Sequence, residues 1–161
     1  MANDLIDEGY NVFGTDGSVS GIDIANKTHE DRFFIQDLAS QDLPIELQNI
    51  NFDTIISTEV IEHLYDPRKY MGFCKSVLMN SGGGEIIIST PYHGYLKNIV
   101  MAMTGKLDTH FTVLWDGGHI KFWSRKTLTQ LLEEYGFEIV EFKGSGRLPY
   151  LWKSMFIKAK I

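Results

Sequence analysis

The sequence contains 161 residues, of which 43% are hydrophobic and 22% charged, a composition typical of one globular domain rather than of a disordered chain. A net charge of −6 argues against a nucleic-acid groove, which needs a dense stripe of Lys and Arg. The single cysteine, Cys74, excludes an intramolecular disulfide and favours a cytoplasmic location, and neither a membrane span nor a signal peptide is recognisable in the sequence.

Patterns with the periods of helices and strands alternate along the chain. Helices are indicated where apolar residues recur every three or four positions after a capping residue, and Asp66-Pro67 and Ser124 are the clearest starts. The predicted helices are Ala2–Glu8, Ser18–Asn26, one from Asp66 to the break at Ser81, Ile99–Met103 and one from Ser124 to Tyr135. Short β-branched and aromatic runs predict the strands Tyr10–Thr15, Arg32–Gln36, Phe52–Ile56, Glu85–Ser89, Phe137–Phe142 and Trp152–Lys160.

The order of these elements predicts the fold class. Strands that alternate with helices form an α/β, Rossmann-like sheet that is mostly parallel. The last two strands follow each other without a helix, so they are expected to pair as an antiparallel C-terminal hairpin. Residues 92–118 depart from the alternation and are interpreted as an irregular insertion within a single domain of residues 1–161.

Two aspartates, Asp16 and Asp37, end consecutive predicted strands. A carboxylate at this edge of a parallel sheet can accept hydrogen bonds from the ribose hydroxyls of a nucleotide, although Asp at a strand end is also a common turn former or helix cap. The pair together favours nucleotide binding. The glycine-rich loop of such folds lies about 20 residues upstream of the ribose ligand, so it is expected before Met1, and the first strand and this loop are predicted to be missing.

Polar residues follow the predicted strand Phe52–Ile56 at its carboxyl end, where open α/β sheets bind their ligands. Glu59, Glu62 and His63 stand at positions i, i+3 and i+4, so on a helical turn they would share one face. Two carboxylates and an imidazole can hold a divalent cation. The alternative is a polar turn at the mouth of a cleft whose side chains bond to nearby backbone, and the metal question stays open.

Two histidines, His93 and His119, bracket the irregular insertion. An imidazole titrates near neutral pH, so either residue is a candidate catalytic general base. A structural histidine that satisfies its hydrogen bonds is the alternative for each.

Five sequence segments, which together cover nearly the whole chain, carry a family resemblance. They read V-F-G-T-D-G-S (residues 12–18), F-F-I-Q-D-L (33–38), F-D-T-I-I-S-T-E-V-I-E-H-L-Y-D-P (52–67), I-I-I-S-T-P (86–91) and G-G-H-I-K-F-W-S-R-K-T-L-T-Q-L-L-E-E-Y-G-F (117–137). The two most specific pieces are E-V-I-E-H-L-x-D-P and H…S-x-x-x-L-x-x-L-L-x-x-x-G-F. These segments resemble the class I S-adenosylmethionine-dependent methyltransferases, especially the branch that contains ubiquinone-biosynthesis O-methyltransferases.

The resemblance implies roles for particular residues. S-adenosylmethionine would be the cofactor, with Asp16 on the ribose hydroxyls, Asp37 and Leu38 beside the adenine, and the insertion over a small-molecule methyl acceptor. The implied cofactor-binding residues are Asp16, Gly17, Ser18, Asp37, Leu38, Ser57, Thr58 and Glu59. In relatives that make ubiquinone, the Glu-x-x-Glu-His group has been taken as a divalent-metal site.

Two other functions stay open. A nicotinamide-dependent Rossmann enzyme would also use Asp16. A truncated or non-catalytic methyltransferase-fold domain with an interaction role is favoured by the missing glycine-rich loop. Loss of the first strand would expose the edges of the strands near Tyr10 and Phe52, which predicts direct pairing of these edges or a homo-oligomer.

Overall fold

The computed structural model describes residues 1–38, 40, 42–111 and 114–161. The chain divides into two compact units, Met1–Ile50 and Asn51–Ile161. None of the helices in the described ranges is both long and apolar enough to cross a bilayer.

The first unit is built on a short pair of parallel strands. Its elements are α1 (Ala2–Asp7), β1 (Gly14–Asp16), α2 (Val19–Ala25), β2 (Phe33–Ile35) and a 3-10 turn (Ile45–Leu47). Gly14 pairs with Phe33, and a Cβ at Gly14 would lie 2.5 Å from the Phe33 ring, so only glycine fits beneath this aromatic side chain. The strands are shorter than predicted because backbone pairing covers only three residues of each.

The second unit contains a four-stranded sheet in the order β3–β4–β6–β5. Its strands are β3 (Thr54–Thr58), β4 (Glu85–Pro91), β5 (Glu138–Ser145) and β6 (Ser154–Lys160). Strand β3 is parallel to β4, and β6 is antiparallel to both β4 and β5. The predicted α/β class and the C-terminal antiparallel hairpin are therefore confirmed.

Four helices accompany this sheet: α3 (Pro67–Asn80), α4 (Tyr95–Met103), α5 (Leu107–Phe111) and α6 (Arg125–Glu134). The predicted caps are present, since Asp66 accepts from the Lys69 amide and Ser124 accepts from the Thr127 amide. Most side chains with no exposed surface come from two helices and two strands of this unit, and Ile61 of the 3-10 turn Ile61–His63 is another. They include Met71, Cys74, Leu78, Leu128, Leu132, Ile86, Ile88, Met155, Ile157 and Ala159.

One strand boundary differs from the prediction in a way that concerns the site. The sequence pattern ends the third strand at Ile56, but the backbone ladder continues, with Ser57 opposite Ile88 and Thr58 opposite Ser89. The apolar pattern that predicts the strand ends at Ile56. Strand β4, however, continues to offer hydrogen-bonding groups, so β3 extends for two more residues. The polar turn of the site therefore begins at Glu59.

The single thiol lies in the core of the second unit. Cys74 is fully buried on α3, and burial raises its pKa to about 12. A thiol with so high a pKa stays protonated at neutral pH, which fits a structural role.

Candidate functional site

The backbone turns sharply at Glu59, directly after β3. Glu59 has φ of 53°, a left-handed conformation that side chains with a Cβ seldom adopt. Its amide donates to the Ser89 carbonyl at 3.1 Å, and the Ser89 hydroxyl donates to Glu59 Oε1 at 3.0 Å. These bonds hold the exposed Glu59 side chain against the end of β4.

Glu62 is a buried carboxylate in the 3-10 turn Ile61–His63, with only 1% of its surface exposed. The hydroxyl of Thr90 donates to Glu62 Oε2 at 3.0 Å. The other oxygen, Oε1, is buried and has no hydrogen-bond partner among the described residues. Burial raises the pKa of this carboxyl group, so the site favours either a proton or a cation on it.

The next residue, His63, has its tautomer fixed by backbone carbonyls. Its Nδ1 lies 2.8 Å from the Gly117 carbonyl oxygen and 3.2 Å from that of Gly118. Because carbonyls only accept, Nδ1 carries the proton, and Nε2 of the neutral ring keeps its lone pair.

His119 completes this group from the loop that precedes α6. Its ring lies 5.0 Å from that of His63 between centroids. One ligand atom each from Glu62, His63 and His119 lies within 4.8 Å of the others. A carboxylate oxygen and two imidazole nitrogens suit a divalent transition ion such as Zn²⁺. The buried Glu62 oxygen without a partner and the free lone pair of His63 fit such an ion.

The loop that carries His119 is held by the backbone of the 3-10 turn. The amides of Ile120 and Lys121 both donate to the Glu62 carbonyl at 2.9 Å, and the indole of Trp123 donates to the Ile61 carbonyl at 3.4 Å. Main-chain hydrogen bonds thus place His119 beside Glu62. The spacing of these residues in the sequence does not predict such bonds.

His93, the other predicted base, belongs to a different cluster in the second unit. It is 6% exposed, its amide donates to the Trp123 carbonyl at 2.9 Å, and its ring lies 5.0 Å from the rings of His110 and Phe122. Burial and the nearby charges of Lys97 and His110 lower the pKa of His93 to about 4. The imidazole is therefore neutral at pH 7.

The predicted cofactor residues of the first unit lie at one edge of its parallel strand pair. Asp16 ends β1, and its Oδ1 accepts from the Ser18 amide at 2.8 Å. Ser18 caps α2 by accepting from the Gly21 amide at 3.1 Å. Asp16 thus forms the turn that the alternative interpretation expected, although a carboxylate bound once can still accept further bonds. Asp37 and Leu38 follow β2, whose end pairs with that of β1.

The other predicted cofactor residues, Ser57, Thr58 and Glu59, belong to the second unit. Ser57 is 3% exposed, whereas Thr58 and Glu59 are exposed. Ser57 therefore contributes its side chain to the core of this unit.

Sequence reasoning missed Thr90 and Lys97 as candidate site residues. Thr90 follows a strand of isoleucines, and only its contact with Glu62 distinguishes it from any strand-ending threonine. Lys97 is the one charged residue of the mostly apolar helix α4, and that contrast was the available signal.

Comparisons with known proteins place these features in context. The family profile described as a methyltransferase domain matches residues 1–142. The ubiquinone biosynthesis O-methyltransferase of Dinoroseobacter shibae is 34% identical over 97 residues, which cover 58% of this chain and 37% of that protein. That of Coxiella burnetii is 29% identical over 150 residues, which cover 89% and 61%. The chain thus spans less than two thirds of the length of these curated relatives.

Solved methyltransferases share the fold. Magnesium protoporphyrin IX methyltransferase from Synechocystis, solved with bound S-adenosylhomocysteine, matches with a TM-score of 0.68 and 18% identity, covering 99% of this chain and 68% of that one. A SAM-dependent methyltransferase from Methanosarcina mazei matches with a TM-score of 0.69 and 17% identity, covering 98% and 84%.

Proposed function

The chain belongs to the methyltransferase-domain family, and from this premise we propose that it transfers a methyl group from S-adenosylmethionine to an oxygen or nitrogen of a small-molecule acceptor. In this reaction the acceptor lone pair forms a bond to the methyl carbon, the bond from carbon to sulfur breaks, and the acceptor loses a proton. The observation that carries the proposal is the group of buried Glu62 and half-buried His63 and His119 at the carboxyl end of β3, within a chain of this family.

Cofactor-binding roles are proposed for residues of each unit, taken separately. Asp16 would accept hydrogen bonds from the ribose hydroxyls, with Gly17 and Ser18 in the same turn, and Asp37 and Leu38 would flank the adenine. Ser57, Thr58 and Glu59 would lie beside the methionine and methyl end. The support is that the family profile spans both segments, that Asp16 ends β1 and that Asp37 follows its parallel neighbour β2.

His119 is proposed to accept the proton of the acceptor, and His93 is the weaker candidate. A conjugate acid with a pKa near 4 makes His93 a poor base at neutral pH. His119 is only partly buried, and it lies beside two other titratable side chains, Glu62 and His63. A full-length enzyme that keeps its turnover when both histidines are replaced by alanine would remove this role.

A divalent cation is a second proposal for the same group. Glu62, His63 and His119 would hold it, and the ion would supply Lewis acidity toward an acceptor oxygen. In that case His119 is a ligand rather than the base. Thr90 orients the Glu62 carboxylate and the Gly117 carbonyl orients the His63 ring, which are the outer-shell bonds that such ligands need.

Residues 92–118 are proposed to cap the acceptor within a single domain, and a homo-oligomer through the edges of β1 and β3 is proposed because both are terminal strands of their sheets. The cytoplasmic location and the absence of a nucleic-acid partner rest on the single thiol and the net charge of −6.

Calorimetric titration with S-adenosylhomocysteine tests the proposed function, with NADH as the comparison ligand. Saturable binding of the first ligand alone supports methyl transfer. Binding of NADH alone would favour the dehydrogenase alternative, and binding of neither by folded protein would favour the non-catalytic one.

A further inference from the structure

Lys97 on α4 is a buried lysine without an acidic partner. It is 8% exposed, and its ammonium donates to the Tyr92 carbonyl at 2.8 Å and, more weakly, to the Lys153 carbonyl at 3.5 Å. No carboxylate in the described part of the chain forms an ion pair with it. Burying an ammonium without a counter-charge is costly, so an anion brought to this place would be stabilised.

Two histidines beside Lys97 have ring nitrogens without a hydrogen bond of good geometry, and the Asn98 side chain on α4 is a polar neighbour of His93. The rings of His93 and His110 lie 5.0 Å apart, and Nε2 of each is buried without a hydrogen-bond partner among the described residues. Buried polar atoms of this kind usually have a partner, such as a water or a ligand. His93 itself is 6% exposed, so its unpaired nitrogen points into the protein rather than into solvent.

The charges around this pair favour an anion over a cation. Burial lowers the pKa of both His93 and His110, and the charges of Lys97 on α4 and of His119 from the loop before α6 act in the same direction on each. A bound metal ion would be repelled by the ammonium, whereas a neutral imidazole can donate one N–H to an anion.

Aromatic rings cover the cluster. Phe111 and Phe122 have ring centroids 4.9 Å apart, and both pack against His93. Phe122 is 47% exposed, so this side of the cluster lies at the protein surface. A carboxylate carried on a flat apolar group would fit both the donors and the rings.

We propose that His93, His110 and Lys97 form a subsite that binds a carboxylate group of the methyl acceptor. The proposal rests on the proposed function in naming the acceptor as the ligand. Lys97 supplies the counter-charge and the two imidazoles supply N–H donors, which together orient the acceptor by an end remote from the reacting atom.

Titration of the protein with benzoate and with benzamide, which have the same shape and differ in charge, tests the subsite. Binding is followed by calorimetry and by the imidazole nitrogen shifts of His93 and His110. We expect benzoate to bind roughly tenfold or more tightly than benzamide and to shift both imidazoles. Equal affinities, or benzoate binding that leaves both imidazoles unshifted, would overturn the proposal.

Three variants make the test specific. Lys97→Met and His110→Gln should weaken benzoate binding several-fold, whereas Lys106→Met, at an exposed lysine after α4, should leave it unchanged. Should Lys97→Met fail to fold, His110→Gln at a partly exposed position still decides the matter. Equal affinities in His110→Gln and Lys106→Met would refute the assignment.

A separate arm distinguishes the acceptor from the cofactor, since S-adenosylmethionine also carries a carboxylate. Benzoate is titrated again with saturating S-adenosylhomocysteine present. Unchanged benzoate affinity supports an acceptor subsite, and competition would assign the carboxylate to the cofactor instead. If S-adenosylhomocysteine does not bind, the proposed function fails, while the comparison of benzoate with benzamide still decides the anion subsite.

Discussion

Thr90 at the end of β4 donates its hydroxyl to Glu62 Oε2 at 3.0 Å, while Glu62 Oε1 has no hydrogen-bond partner among the described residues. A carboxylate with 1% exposure that uses one oxygen and leaves the other unpaired is poised to take up a proton or a cation. The two nearest imidazole ligands, from His63 and His119, make the cation alternative testable.

The first prediction concerns metal binding at this group. Replacing Glu62 with Gln removes the negative charge and one ligand oxygen, so Zn²⁺ affinity measured by calorimetry should fall roughly tenfold or more. Glu59→Gln is the matched control, because Glu59 lies on the same turn but bonds to Ser89 instead. Equal losses in the two variants would exclude Glu62 as a specific ligand.

The second prediction concerns stability as a function of pH. The pKa of Glu62 is raised in the folded protein, so the unfolded chain releases this proton first as pH rises. The contribution of Glu62 is therefore most favourable below its ordinary pKa and is lost as pH rises through the raised value. In metal-free buffer, Glu62→Gln should flatten this fall in the free energy of unfolding, measured by urea denaturation between pH 4 and 7. A wild-type and variant profile that differ by a constant would contradict the assignment.

The third prediction concerns His93, whose contribution to stability changes with pH in the opposite direction to that of Glu62. Its pKa in the folded protein is about 4, below its ordinary value of 6.5, so the unfolded chain binds more protons between these values. Stability from this residue is complete above pH 6.5 and is lost as pH falls toward 4, by an amount on the order of 2 kcal/mol. His93→Gln should remove that slope in urea denaturation. The control variant His29→Gln, at a half-buried histidine of the first unit, should keep this slope.

The fourth prediction separates two roles of Asp16. Asp16→Asn keeps an oxygen that can accept from the Ser18 amide but loses the negative charge. If the carboxylate binds ribose hydroxyls, affinity for S-adenosylhomocysteine should fall roughly tenfold with little change in thermal stability. Asp23→Asn, at an exposed position on α2, is the control for loss of charge. An affinity that does not change in Asp16→Asn would leave Asp16 as a turn former alone.

Much of the fold could be predicted because it depends on local signals. Asp66 and Ser124 cap their helices as their residue types suggest, and the strand ending at Lys160 pairs back as the short turn before it requires. The end of β3 could not be placed, since pairing with β4 carries the strand through Ser57 and Thr58. The polarity of Ser57 and Thr58 does not show that β4 is available to pair with them.

The set of side chains that form the site was harder to predict from the sequence than the fold. Regular helical spacing predicted that Glu59 would share a face with Glu62, but the left-handed backbone at Glu59 turns its side chain to Ser89. His119 reaches Glu62 through a loop fastened by main-chain bonds, and these bonds are available to any sequence. Long-range contacts of this kind are fixed by the folded backbone rather than by residue spacing.

The central claim, that this chain binds S-adenosylmethionine and transfers its methyl group, is tested most directly by calorimetric titration of the full chain with S-adenosylhomocysteine. We predict saturable binding with one site per chain, weakened in Asp16→Asn and unmatched by NADH. Folded protein that gives no binding heat with S-adenosylhomocysteine and no change in melting temperature would contradict it.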